Sequence, residues 1–127
     1  MVDVTPLTEP YWQALTEGRL DFQRCSGCRH AWLPPREECP NCLGSDWSWE
    51  TASGRATLVS WVVYHVAFNP AFADRLPYNV AIVELAEGPR MITNLINLEE
   101  RKPRVDAALL LEVQQEGGLS LARFKVV

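Results

Sequence analysis

All four cysteines of the chain lie in one short stretch, as two C-x-x-C pairs. Cys25 and Cys28 form the first pair, Cys39 and Cys42 form the second, and ten residues separate the two pairs. Four thiolates at about 2.3 Å complete the tetrahedral shell that Zn²⁺ prefers, and each C-x-x-C turn supplies two of them. Because no ligand position is then left for water, the spacing predicts a structural zinc site.

Disulfide bonds and a redox dithiol are the alternative uses of these cysteines. Disulfides form in oxidising compartments, and residues 1–5 show neither the basic nor the apolar segment of a secretory signal. A redox C-x-x-C normally lies in a βαβ unit, and no such pattern surrounds these pairs. We therefore expect zinc, with His30 and His65 outside the ligand shell. We also expect a cytoplasmic protein with no membrane span, since no apolar run approaches the required ~20 residues.

The composition is that of a folded, acidic protein. Its 127 residues are 47% hydrophobic and 22% charged, which fits one globular domain or two very small ones. The formal net charge is −4, and a Zn²⁺ ion held by four thiolates would bring it to about −6. Nucleic-acid binding draws on Lys and Arg contacts to phosphates, so this balance argues against it. Four arginines near the cysteines could equally meet an acidic partner or a nucleotide-like cofactor: Arg19, Arg24, Arg29 and Arg36.

A short N-terminal helix is predicted over residues 9–17. Thr8 is a suitable N-cap, and Gly18 stands where a C′ glycine would end the helix. Tyr11 and Trp12 lie on an apolar stripe of this helix, which is too short to be stable unless it docks on something. The stripe packs either within the chain or on another subunit. Tyr11 and Trp12 are therefore candidate partner-interface residues.

Hairpin arms are predicted on both sides of the first cysteine pair. Leu20 and Phe22 alternate with polar residues in a strand that enters the pair, and residues 31–33 return from it. Gly27 is expected to give the turn between them a positive φ. We assign residues 1–50 to the helix and this zinc ribbon.

Residues 51–127 are predicted to form a small barrel. β-branched and aromatic residues recur in five runs bounded by turn residues, at 57–66, 78–86, 90–96, 108–115 and 119–126. Five such strands fit an OB-fold, with a sandwich or an SH3-like barrel as alternatives on pattern alone. The predicted fold class is mainly β: a short N-terminal helix, a rubredoxin-like zinc ribbon, and a five-stranded OB-fold barrel.

The connection at 67–77 is long for a hairpin and carries large apolar side chains. Phe68 and Phe72 stand in it. Such side chains either pack over the mouth of the barrel or form a surface for a partner or ligand. Phe68 and Phe72 are therefore further candidate partner-interface residues.

Aromatic residues of the predicted barrel are candidates for stacking on a ligand. OB-fold aromatics stack on nucleic-acid bases, and the adenine of coenzyme A presents the same flat surface. Tyr64 and Tyr78 are candidate stacking residues, and Arg90 is a candidate phosphate contact. An acid–base pair of His65 and Glu84 is conceivable, but nothing else in the sequence assembles an active site around it. We predict no catalytic residues.

Taken in order along the chain, several motifs resemble those of a known family. They are a short N-terminal helix, Gly18-Arg19-Leu20, the run from Arg24 through Cys28, Pro34-Pro35-Arg36, Gly54, Leu76-Pro77-Tyr78, and Val83-Glu84-Leu85 before Gly88-Pro89-Arg90. Over nearly its whole length the chain resembles the zinc-ribbon plus OB-fold family once labelled domain of unknown function 35. It departs at Asp106 and Ala108, before the fourth barrel strand, where similar proteins often carry a Gly and then a Pro.

This resemblance implies an accessory subunit of acyl-CoA metabolism. Such subunits associate with thiolase-like proteins: thiolases, 3-hydroxy-3-methylglutaryl-CoA synthases and thiolase-like aldolases of steroid side-chain degradation. They support the partner's catalysis rather than supply a nucleophile. We therefore predict a heteromeric complex with a thiolase-like protein, with coenzyme A or acyl-CoA at the partner interface. The alternative is a zinc-ribbon OB-fold module that binds single-stranded nucleic acid, which the acidic charge disfavours.

Overall fold

A computed structural model describes residues 5–64, 78–97 and 101–127 of the chain. These residues form one helix and eight strands: α1 (Glu9–Thr16), β1 (Asp21–Cys25), β2 (Ala31–Trp32), β3 (Trp47–Thr51), β4 (Arg55–Tyr64), β5 (Tyr78–Leu85), β6 (Arg90–Thr93), β7 (Ala108–Glu116) and β8 (Leu119–Val126). Within the described ranges, no helix has the length and apolar character that crossing a membrane requires.

Helix α1 begins at Glu9 after the N-cap residue Thr8, as the sequence predicts, and it ends before the predicted glycine. Gly18 has φ +85° and donates its N–H to the carbonyl of Leu15 at 3.0 Å, while Arg19 donates to the carbonyl of Ala14 at 2.9 Å. These two bonds form a Schellman motif, which satisfies the last carbonyls of the helix. At the start, Thr8 makes no capping bond to the helix. Its hydroxyl instead accepts the N–H of Thr5 at 2.8 Å, so Thr8 occupies the predicted N-cap position without a side-chain bond to the helix.

A three-stranded antiparallel sheet with the order β2-β1-β3 builds the ribbon. Strand β3 was not predicted, and it pairs with the whole of β1, from Asp21 opposite Thr51 to Cys25 opposite Trp47. The expected alternation along β1 also fails, because Asp21 and Gln23 are buried together with Phe22, at 9%, 0% and 0% exposure. Both polar side chains have hydrogen-bond partners. Asp21 accepts a bond from the Thr51 hydroxyl at 2.8 Å, and the Gln23 side-chain amide donates to the Arg36 carbonyl, beyond β2, at 2.8 Å.

The second sheet has five antiparallel strands in the order β6-β5-β4-β7-β8. Its register shifts between Leu58 and Ser60, and this β-bulge bends β4. The segment after β6 leaves the sheet and pairs with β8: the Ile96 N–H donates to the carbonyl of Phe124 at 3.1 Å, and the Phe124 N–H donates to Asn94 at 3.1 Å. The sheet therefore curls into an OB-fold half-barrel, and the predicted fold class is confirmed. The strand predicted at 90–96 is shorter because its last three residues pair with β8.

One apolar core serves both the helix and the half-barrel. Leu15 of α1 and Leu20 before β1 are buried in the same cluster as Leu58, Val83 and Phe124. The short helix thus gains its stability from packing, as a helix of two turns must. The division into residues 1–50 and 51–127 stays a prediction.

Some predicted site residues lie outside the part of the chain that the structure describes. Phe68 and Phe72, together with the whole 67–77 connection, fall in the undescribed range, as does His65. Tyr64 and Tyr78 are paired in the β4–β5 ladder, at the end of β4 and the start of β5, and only their backbone is described. Their roles stay predictions.

Candidate metal centre and apolar groove

The four cysteine thiols converge on one point. All four Sγ atoms lie within 4.8 Å of one another, with Cys25 to Cys42 and Cys28 to Cys39 each at 3.6 Å. A tetrahedron of sulfurs at about 2.3 Å from a central Zn²⁺ has edges of about 3.8 Å. The arrangement therefore fits zinc. It brings together the four cysteines that the sequence analysis singled out as ligands.

Each cysteine pair forms the same kind of turn. In both turns the residue after the second cysteine has a positive φ. Arg29 has φ +66° and donates its N–H to the Cys25 carbonyl at 3.1 Å; Leu43 has φ +63° and donates to the Cys39 carbonyl at 2.8 Å. The expected positive φ at Gly27 is wrong, because Arg29 adopts the left-handed conformation instead. A side chain at such a φ is costly, so the four converging cysteines must hold both turns in place.

Hydrogen-bond donors favour the thiolate form of the first cysteine pair. The Asn41 side-chain amide, 3.5 Å from the Cys28 sulfur, and the backbone N–H of His30 lower the pKa of Cys28 to about 6. The Cys28 N–H, 3.5 Å from the Cys25 sulfur, lowers the pKa of Cys25. Thiolate is the form that binds a metal, so these donors prepare two of the four ligands.

Cys42 shows the opposite tendency. The Gly44 N–H lowers the pKa of Cys42, but the thiols of Cys25, Cys28 and Cys39 outweigh it and raise that pKa to about 12. A cation at the centre of the cluster would remove this penalty by displacing the proton. Gly44 also leaves room for the sulfur, since a Cβ there would lie 3.3 Å from the Cys42 Sγ.

Tryptophans cover the buried side of the cysteine cluster. Trp32 and Cys39 are buried together, and Trp47 packs against them and donates its indole N–H to the Glu37 carbonyl at 2.8 Å. His30 is exposed and stacks on Trp32, with ring centroids 6.2 Å apart. It does not belong to the cysteine cluster.

An apolar groove lies between the helix, the ribbon and the half-barrel. It has a volume of about 340 Å³. Its lining, called the apolar groove below, comprises Thr8, Tyr11, Trp12, Leu33, Pro34, Pro35, Met91 and Ile92. The predicted interface residues Tyr11 and Trp12 thus form one wall, with their rings 5.1 Å apart edge to face. Burial of the phenol raises the pKa of Tyr11 to about 12.

The apolar groove continues onto the outer face of the curled sheet. Ile92, which lines the groove, lies directly opposite Ile82 in the β5–β6 ladder, and the two residues are 72% and 38% exposed. On β4 the residue opposite Ile82 is Ser60, and Val62, two positions further along the strand, is 52% exposed. The groove therefore continues through Ile92 and Ile82 onto the sheet face as an exposed apolar surface, and nothing in the sequence pattern alone indicated it.

Arg90 is engaged by a neighbouring acid. Its Nε lies 3.0 Å from a carboxylate oxygen of Glu84, the residue opposite it in the ladder. Together with His30 and Arg36 it borders a second pocket, of about 410 Å³. Its predicted role as a phosphate contact stays a prediction.

The two sheets match two consecutive family models. Residues 12–48 match the rubredoxin-like zinc ribbon domain of ChsH2, and residues 49–113 match the C-terminal OB-fold domain of ChsH2. The chain is thus a zinc-ribbon OB-fold protein. It belongs to the ChsH2 (DUF35) family, which confirms the resemblance read from its motifs.

Several curated proteins are similar to this chain. A probable enoyl-CoA hydratase alpha subunit of Thermomonospora curvata is 34% identical over 116 residues, which are 91% of this chain and 36% of that protein. A DUF35 domain-containing scaffold protein of Methanocaldococcus jannaschii is 33% identical over 58% of this chain and 52% of its own length. One of Pyrococcus furiosus is 30% identical over 70% of this chain and 65% of its own. The chain thus spans about a third to two thirds of these relatives.

Two solved structures share the fold. A chain of the Ltp2-ChsH2(DUF35) aldolase superposes with a TM-score of 0.84 at 31% identity, covering 99% of this chain and 98% of that one. A DUF35-family protein of unknown function from Sulfolobus solfataricus has a TM-score of 0.68 at 15% identity, covering 98% and 87%. The second likeness shows the fold alone.

Proposed function

We propose that this chain is a non-catalytic accessory unit that holds a structural zinc ion and docks on a thiolase-like enzyme. In that complex it supports acyl-CoA chemistry performed by the partner. The observation that carries the proposal is the apolar surface formed by the groove and the outer sheet face. Contiguous exposed apolar patches of this kind mark interaction sites in soluble proteins.

The aromatic wall of the apolar groove suits a protein partner. Tyr11 and Trp12 offer large, rigid side chains, the residue types that carry most of the binding energy at interfaces. Ile92, which is 72% exposed, extends the surface to the sheet. The names of the relatives support this interpretation: one structure is an Ltp2-ChsH2(DUF35) aldolase, and other relatives are DUF35 domain-containing scaffold proteins.

The cysteine cluster supports the groove rather than a reaction. Leu33, Pro34 and Pro35 line the groove and lie in the segment between the two cysteine pairs. A zinc ion bound by four thiolates fixes both ends of that segment and has no open position for substrate. We infer that zinc shapes the docking surface, and that a nucleophile for the acyl-CoA reaction comes from the partner.

Affinity purification of the tagged chain from its native host tests this proposal. We expect a thiolase-like protein to co-purify in stable ratio with the wild type, and Ile92→Glu to lower its recovery by about tenfold or more. Leu119→Glu is the matched control, since it places the same charge at a 37% exposed position outside the groove. Nuclease-sensitive nucleic acid without such an enzyme would favour the nucleic-acid module. Equal recovery with both variants would place the docking surface elsewhere.

A further inference from the structure

All three guanidinium nitrogens of Arg24, on β1, are engaged within the chain. Its Nε lies 3.0 Å from a carboxylate oxygen of Glu50, its Nη1 donates to the Arg29 carbonyl at 2.8 Å, and its Nη2 donates to the Glu87 carbonyl at 3.4 Å. The side chain is 19% exposed, and the guanidinium lies 5.5 Å from the centre of the Phe22 ring. These contacts fix the side chain between the first cysteine turn, β3 and the turn that precedes β6.

The Arg29 carbonyl that Arg24 binds belongs to the same peptide group as the His30 N–H. That N–H acts as a donor to the Cys28 sulfur and lowers the pKa of the thiol. One peptide group thus connects the guanidinium at its carbonyl end with a sulfur of the cysteine cluster at its N–H end. Cys28 is exposed, so it is a ligand that a competing chelator can reach.

A charged donor at the carbonyl has two consequences for this peptide group. It polarises the group and so strengthens the hydrogen bond that the N–H makes to sulfur. It also holds the group in place, although Arg29 has φ +66°, which is costly for a residue other than glycine. Groups that hold and polarise the donors of a metal ligand raise the affinity of the site for its metal.

The backbone pattern of the first cysteine turn is repeated in the second. The Cys25 N–H donates to the His30 carbonyl at 2.8 Å, and the Cys39 N–H donates to the Gly44 carbonyl at the same distance. The contact from Arg24 to the Arg29 carbonyl is an addition to this common pattern. It therefore needs an explanation beyond the formation of the turn itself.

We propose that Arg24 is a positioning residue of the metal centre, which acts on Cys28 through the Arg29–His30 peptide group and slows the release of zinc. The inference rests on the structural zinc ion of the proposed function. This role differs from both uses considered for Arg24 in the sequence, an acidic partner and a nucleotide-like cofactor, because the guanidinium is engaged within the chain.

Cobalt(II) substitution of the full chain, together with transfer of zinc to a chromophoric chelator, tests this role. The energy of the thiolate-to-cobalt charge-transfer band reports hydrogen bonding at sulfur, which a loss of general stability would not change. In Arg24→Gln we expect the band to move to lower energy, because a weaker hydrogen bond raises the energy of the sulfur electrons. Zinc should be released about tenfold faster or more.

Two control variants separate this effect from loss of charge. Glu50→Gln removes the ion pair and keeps the bond from Arg24 to the Arg29 carbonyl. Arg19→Gln removes a positive charge from an exposed ion pair beside the ribbon. Both variants should leave the charge-transfer band in place and change the rate of zinc release by less than about twofold.

The inference is wrong if Arg24→Gln matches the wild type in both measurements, or if either control variant shifts the band as far. If Arg24→Gln takes up no cobalt, Arg24→Lys decides, because one ammonium cannot serve all three acceptors at once. A band at lower energy than in the wild type then supports the role of Arg24, and a band at the wild-type position overturns it. A wild type without a tetrahedral cobalt spectrum would instead refute the structural metal of the proposed function, so the two failures can be told apart.

Discussion

Gln23 and Arg36 hold each other through two hydrogen bonds. The buried Gln23 amide donates to the Arg36 carbonyl at 2.8 Å, and the Arg36 N–H donates to the Gln23 side-chain oxygen at 2.7 Å. This pair ties the central strand of the ribbon to the segment between the cysteine pairs. Because Leu33, Pro34 and Pro35 lie in that segment, the pair positions one wall of the apolar groove.

We predict that Gln23→Leu destabilises the chain although it keeps the side-chain volume. The change leaves the carbonyl and N–H of Arg36 without their partner, at an expected loss of about 2–3 kcal/mol in the free energy of unfolding. Urea unfolding of the zinc-bound protein measures this. Gln13→Leu makes the same exchange at an exposed helix position and should change stability by less than about 0.5 kcal/mol. A Gln23→Leu variant as stable as Gln13→Leu would show that the two bonds contribute nothing net.

Removing one thiol should release the metal. Cys42→Ser is expected to lower the zinc content of the purified protein from one ion per chain to well below one, and to destabilise the ribbon by several kcal/mol, because metal binding contributes folding free energy. Metal analysis together with unfolding in the presence and absence of chelator gives both quantities. Ser45→Ala, close by in sequence and outside the cluster, should retain zinc. A Cys42→Ser protein that unfolds like the wild type would argue against a structural metal.

The sequence predicted best those features whose signal is local. The cysteine spacing alone identified the cluster, and runs of β-branched residues located all five strands of the half-barrel. Strand β3 was not predicted, because Trp47 and Trp49 alternate with polar residues over only five positions. Its strand conformation depends on pairing with β1. Pairing with a strand that is distant in sequence does not show as a periodic pattern in the sequence of the strand itself.

The backbone conformations show the same limit. Gly27 carried the usual signal for a positive φ, yet Arg29 and Leu43 adopt it, because the shared cysteine geometry outweighs the preference of the individual side chain. Asp106 is a third residue other than glycine with a positive φ. It has φ +66°, the conformation that glycine adopts most readily, although the sequence carries an aspartate there.

Surfaces assembled from distant segments were beyond sequence reasoning. The apolar groove draws on the helix, the ribbon and β6 at once. Tyr11 and Trp12 were singled out from a two-turn helix, and their common surface with Ile92 depends on how that helix packs.

Tyr11 gives the groove a measurable response to alkaline pH. Burial raises the pKa of its phenol in the folded chain from 10.0 to about 12, so between these values the folded state binds more protons than the unfolded state. The free energy of unfolding must then fall as the pH rises through this window. From about pH 8 to about pH 11 the loss due to Tyr11 should be about 1.4 kcal/mol.

Comparison of the wild type with Tyr11→Phe isolates this contribution, since phenylalanine keeps the ring and has no group to ionise. Urea unfolding at both pH values should show the wild type losing about 1.4 kcal/mol more than the variant. The effects of lysines, arginines and the cysteine cluster are common to both proteins and cancel in the difference. Equal losses would mean that the phenol ionises as readily in the folded chain as in the unfolded one, and hence that Tyr11 faces water rather than the groove. A larger loss in the wild type would show that the folded chain shields the Tyr11 phenol from water.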